Sequence, residues 1–137
     1  MPECSKYLQK LQNLYTGTMY YSIMTTSSDL VTRRCEPCEG GVAPLEADVA
    51  RELIAALHAD WNIGDDGKSI ARVFSFAGYH RTISFVNAVA WIAESEGHHP
   101  DLEVGYGKVN VLYTTHAIGG LSENDFICAA KIDRLLD

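Results

Sequence analysis

From Tyr79 to Glu96 the chain contains neither glycine nor proline, and its apolar residues fall on two overlapping helical stripes, Ile83-Val86-Ala90-Ala93 and Phe85-Val89-Ile92. Residues three and four apart share a helix face, so this spacing predicts one long helix. Two stripes give it more apolar surface than a single contact face requires. The rest of the chain must cover one side, and burial of the second by another subunit is expected. Gly97 is placed to end the helix as a C-terminal cap.

On either side of this helix the period changes from helical to alternating. Ile70, Arg72, Phe74 and Phe76 interleave with Ala71, Val73 and Ser75, after Trp61-Asn62-Ile63 and the turn-forming Gly64-Asp65-Asp66-Gly67, which predicts a β-hairpin. A second alternating pair spans about 102–106 and 108–115, with Val109, Val111, Tyr113 and Thr115 on one face and Gly105 or Gly107 at the turn. Leu45, Val49, Leu53 and Leu57, with Ile54 beside them, predict an amphipathic helix over 45–58. Ser122 reads as an N-cap with Asp125 in the capping-box position, opening a closing helix through Phe126, Ile127, Ala130 and Leu135. The order α-β-β-α-β-β-α defines an α+β fold: a four-stranded antiparallel sheet with helices packed on one face.

Charge and cysteine content narrow the function classes. Eleven basic against 18 acidic residues leave a net charge of −7, which argues against nucleic acid as a partner. No apolar run approaches the roughly 18 residues needed to cross a bilayer, so no membrane role is expected. Four cysteines, at 4, 35, 38 and 128, do not make a disulfide framework, and a reducing, cytoplasmic setting is expected. Residues 1–34 carry a net +2 and leave −9 on the remainder. We expect residues 1–30 to form a disordered N-terminal extension before a domain at 31–137; the alternative is a transit peptide for a mitochondrion. Residues 1–32 lack the arginines such peptides usually carry, which favours disorder.

Histidine placement carries the chemistry. His98-His99-Pro100 directly follows the long helix, and His116 ends the last strand. Pro100 forces His99 out of helical geometry, so the adjacent rings can line two sides of a pocket. Zinc binding by these rings lacks a fourth ligand. Cys35-x-x-Cys38 is half of a zinc site without its other half, and a redox role lacks the βαβ context; a loop pair without function is the simpler account. Asp125 is either a cap or a site residue, Glu94 a solvated or a functional carboxylate, and Trp61 a core residue or a pocket wall. His58, His80 and Lys108 read as surface residues.

The run Glu94-Ser95-Glu96-Gly97-His98-His99-Pro100, then Tyr106, Lys108-Val109, His116, Gly120-Leu121-Ser122 and Asp125, closely resembles the signature of pterin-4a-carbinolamine dehydratases. Similarity reaches back through Val73-Phe74-Ser75-Phe76 and Trp61 to Cys35-Glu36-Pro37-Cys38, covering roughly residues 31–137. The resemblance implies a hydro-lyase that converts 4a-hydroxy-tetrahydropterin, released by aromatic amino acid hydroxylases, to the quinonoid dihydropterin in tetrahydrobiopterin recycling. It implies a dimer or tetramer, no metal and no organic cofactor. The implied catalytic residues are His98, His99 and His116, with Glu94, Asp125 and Trp61 in supporting or substrate-binding positions. Where some family members have an acidic residue before the histidine pair, this chain has Gly97, so that carboxylate is absent or moved. Imidazole titrates near pH 6.5 and each positioned acid or base contributes about 10² to 10⁴ in rate. We expect His98 and His116 to move protons and His99 to hold the pterin. Some animal relatives also act as dimerisation cofactors for a homeodomain transcription factor, which makes a protein-binding module the alternative.

Overall fold

Two hairpins supply the sheet, and α-helices among the described residues supply its cover. The computed structural model describes residues 24–137. In chain order the elements are α1 (Ser27–Thr32), α2 (Ala47–Ala55), β1 (Asn62–Ile63), β2 (Ile70–Ser75), α3 (Tyr79–Glu96), β3 (Asp101–Val104), β4 (Lys108–Tyr113), a 3-10 turn (His116–Ile118), α4 (Glu123–Asp133) and a final 3-10 turn (Arg134–Leu136). The strands form one antiparallel sheet in the order β1-β2-β4-β3.

Register follows the period-2 pattern. Ile70 faces Tyr113, Arg72 faces Val111 and Phe74 faces Val109 across the central β2–β4 pair, which stacks the apolar side chains on one face. Ile70, Phe74, Val109, Val111 and Tyr113 are all buried there, against Phe85 and Val89 of α3 and Phe126, Ile127 and Ala130 of α4. Each fully buried large side chain contributes about 1.5–3 kcal/mol. On the opposite face Val73 is left 53% exposed, as the alternation requires.

Helix α3 keeps the bounds expected from its sequence, and Gly97 caps it with φ 64°, a left-handed conformation that glycine adopts without strain. The first apolar stripe is only partly covered, with Ala93 buried, Ile83 and Val86 half-buried and Ala90 exposed, whereas Phe85 and Val89 of the second are buried; Trp91, outside both, is 75% exposed. Thr82, itself buried, shares its single Oγ1 proton between the carbonyls of Gly78 at 3.0 Å and Tyr106 at 2.9 Å and so ties the start of α3 to the β3–β4 turn. That turn is tight at Gly107, where a Cβ would stand 2.9 Å from the Phe76 carbonyl oxygen.

Two boundaries move. The amphipathic helix expected over 45–58 is helical at Ala47–Ala55, and the second hairpin is shorter than its alternation suggested. The disordered extension expected to run to residue 30 is corrected over its last residues. Thr26 and Asp29 form a capping box that starts α1, Leu30 is fully buried in the core, and Arg33 pairs with Glu123 of α4. Local capping and one buried leucine hold this segment against the domain. The expectations for residues 1–23 lie outside the described residues.

Candidate active site

The end of α3, the start of β3, the end of β4 and the start of α4 meet at one end of the sheet, and the three expected histidines belong to these segments. His98 follows the Gly97 cap, its N–H donating to the Ala93 carbonyl at 3.1 Å. Its ring lies parallel to that of Tyr113, with centroids 5.5 Å apart and planes 8° apart. Its Nε2 stands 2.6 Å from Asp125 Oδ1.

Asp125 is the fixed point of the site. It has no solvent exposure, and its other oxygen, Oδ2, accepts from the Ser122 N–H at 2.8 Å and from Thr115 Oγ1 at 2.9 Å. The Thr115 hydroxyl also lies 2.7 Å from Ser122 Oγ. Thr115 has one proton, given to Asp125, so Ser122 is the donor in that second bond. A buried carboxylate is tolerable because every partner it needs is present. The capping-box residue and the partner of His98 are therefore one and the same. As a carboxylate Asp125 only accepts, which places a proton of His98 on Nε2 and leaves Nδ1 outside that bond.

The other two rings are open to solvent, and each stands beside its own carboxylate. His99 Nε2 is 3.4 Å from Glu94 Oε2, one turn back on α3. His116 Nε2 is 3.9 Å from Asp101 Oδ2, at the first residue of β3. These exposed pairs carry little energy; they mark how close the segments approach. His99 is two residues from Asp101, and His116 directly follows Thr115, so both loops bearing exposed rings adjoin the His98–Asp125 pair.

Trp61 is drawn elsewhere. Its ring packs edge-on to Phe74, with centroids 6.1 Å apart, and its Nε1 donates to Asp133 Oδ1 at 2.8 Å. The same oxygen accepts from Arg72 at 2.5 Å, and the Arg72 guanidinium lies 4.3 Å over Phe74. An indole buried in the core needs a partner for its N–H, and here the carboxylate at the end of α4 provides it. The pocket-wall reading of Trp61 gives way to a core one. Tyr113, Thr115, Ser122 and Asp101 were not singled out as site residues; the alternation of β4 put Tyr113 and Thr115 on the buried face, but nothing local joined them to His98.

Two open cavities lie away from these rings. One, about 460 Å³, is lined by residues that include His58, Arg72 and Asp133. The other, about 480 Å³, includes Tyr79, His80 and Tyr106.

The fold is an α+β sheet with a part-buried His98 on a buried Asp125 and two further histidines at one end, and comparison with known proteins gives its family. The model of the pterin 4 alpha carbinolamine dehydratase family matches residues 43–135, and the chain belongs to that family. A relative from Nitrosomonas eutropha, which carries the name pterin-4-alpha-carbinolamine dehydratase provisionally, is 57% identical over 113 residues, 82% of this chain and 98% of its own. A crystal structure of a transcriptional coactivator/pterin dehydratase from Brucella melitensis superposes with a TM-score of 0.65 at 29% identity, covering 69% of this chain and 99% of that one. A pterin dehydratase-like protein identified as a RuBisCO assembly factor in the alpha-carboxysome gives a TM-score of 0.50 at 26% identity, over 57% of this chain and 90% of that one.

Proposed function

We propose that this chain dehydrates a 4a-hydroxy-tetrahydropterin to the quinonoid dihydropterin and water, as a step in tetrahydropterin recycling. In that reaction the C4a–O bond breaks, a proton reaches the departing oxygen to make water, the N5 lone pair becomes the second bond of C4a=N5, and the N5 proton is removed. No electron is gained or lost. The observation that carries this reading is the 2.6 Å contact of His98 with the fully buried, triply engaged Asp125. It supports His98 as a proton-moving group with one nitrogen committed and one free. His116 serves as the second proton carrier and His99, with Glu94, holds the pterin. The product of two positioned groups, each contributing about 10² to 10⁴, is enough to make dehydration fast without further chemistry. A homo-oligomer would cover the exposed Trp91 on α3, and the bacterial relatives fit a cytoplasmic setting for the substrate.

Stopped-flow absorbance with synthetic carbinolamine tests the reading: dehydration well above the buffer rate is expected. Loss of turnover in His99→Ala with unchanged substrate binding would refute the assignment of His99 to binding. The second reading is a protein-binding module. It is favoured by the exposed Trp91 and by the coactivator and assembly-factor descriptions of the two solved neighbours. A native chain that gives no acceleration over buffer would select it.

A further inference from the structure

The segment after α1 crosses α4 as a strap. Arg33 pairs with Glu123, the Cys35 N–H donates to Glu96 Oε2 at 2.9 Å, and Asn124 holds the Glu36 backbone at both ends, accepting from its N–H at 3.0 Å and donating to its carbonyl at 2.6 Å. Glu96 is anchored in turn by Lys131 at 2.5 Å. These bonds deliver the Cys35 thiol to α4, where its Sγ rests 3.5 Å from Cys128 Sγ although the residues are 93 positions apart. Neither cysteine is in a disulfide. Cys35 is partly exposed and Cys128 is fully buried. Among the described residues no group of three histidines, cysteines or carboxylates converges as a metal site, so the sulfur pair stands as a pair.

We propose that Cys35 and Cys128 form an oxidisable dithiol, a modification site that closes to an intramolecular disulfide and latches the strap onto α4 next to Asp125. Reaching the ordinary bond length of about 2.05 Å takes about 1.5 Å of approach, within reach of side-chain torsions on a strap already held by Glu96, Glu123 and Asn124. The oxidant is a small-molecule disulfide. Cys35, the accessible thiol, attacks as thiolate on one sulfur of that molecule and releases the other half as a thiolate. Cys128 then attacks the Cys35 sulfur, forming the Cys35–Cys128 bond and releasing the second half. Two electrons pass to the oxidant, and the two protein thiol protons end on its two thiols. Hydrogen bonding to Cys128, burial and the Glu96 charge all push the Cys35 thiol upward, against Lys131, so the exchange is slow at neutral pH and quickens in alkali. Cys38 is held differently, its sulfur accepting from Asn124 Nδ2 at 3.3 Å.

The test uses the native full chain and oxidised glutathione at mildly alkaline pH, read by intact mass and by peptide mapping without reductant. The expected result is loss of two hydrogens, one cross-linked peptide joining Cys35 to Cys128, its reversal by dithiothreitol, and its retention in Cys38→Ser. A link from Cys35 to Cys38 or Cys4, glutathione adducts without a cross-link, or unchanged thiols would each overturn the proposal. The wild-type map decides even where Cys128→Ser fails to fold, and no readout depends on dehydratase activity.

Discussion

Replacing Asp125 by asparagine separates what the carboxylate does for the fold from what it does for His98. Oδ2 serves the Ser122 N–H and the Thr115 hydroxyl, and Oδ1 serves His98. An asparagine that keeps its carbonyl toward Ser122 and Thr115 preserves the helix start and turns its NH₂ toward His98. The ring must then present a bare Nε2, which moves its proton to Nδ1 and reverses the role of the free nitrogen. A hydrogen bond to a charged group is worth about 1.5–3 kcal/mol. At about 1.36 kcal/mol per tenfold, full expression of that loss in the transition state lowers kcat by roughly 10- to 150-fold. Stability falls by only about 1 kcal/mol, because a neutral hydrogen bond takes the place of the charge-assisted one. Asp125→Ala also loses the N3 half of the capping box and takes the acceptor from the Ser122 N–H and the Thr115 hydroxyl, so its stability falls further than that of Asp125→Asn. The assay pairs stopped-flow dehydration with urea unfolding of the same preparation. Wild-type kcat in Asp125→Asn, or a loss of rate that the loss of folded protein fully accounts for, would refute the orienting role.

Other consequences are independent of the site. Trp61→Phe removes the indole bond to Asp133 and should cost about 1.5–3 kcal/mol by urea unfolding, with kcat per folded molecule unchanged; a selective loss of substrate affinity would restore Trp61 to the pocket. Gly107→Ala drives a Cβ to 2.9 Å from a backbone oxygen and should lower stability by about 1–3 kcal/mol in the same assay. Burial works to raise the Glu96 carboxyl, but the Lys131 bond, the Cys35 N–H and the charges of Lys131 and Arg34 outweigh it and hold it below the ordinary value of 4.5. A depressed carboxylate stabilises the fold above that value, and the contribution is lost as the pH falls through the folded-state one. Thermal melts from neutral to acid pH should therefore show a smaller acid-side decline in Glu96→Gln than in the wild type; parallel curves would contradict the assignment.

What the sequence made legible is what local period and capping encode. The bounds of α3, its Gly97 cap, the residues that share one face within β2 and within β4 and the Ser122–Asp125 box are all set within a turn or a pleat of their own residues. The family motif named the three histidines for the same reason, as a contiguous run and a short return. The partner of Trp61 lies 72 residues further along, and that of the Cys35 thiol 93 residues away. No period links such pairs; only the packed helix α4 brings them together. Helix α1 is only six residues long, too short to show an amphipathic pattern, and its order comes from Leu30 and the strap rather than from propensity.

The five histidines allow a direct test, since His58 and His80 line the two open cavities while His98, His99 and His116 lie at the far end of α3 and β4. Nitrogen-15 imidazole spectra recorded while a non-reactive pterin is titrated into the native chain should show the resonances of 98, 99 and 116 moving together along one binding curve, with 58 and 80 still. Movement of 58 or 80 with the other three unperturbed would contradict the account.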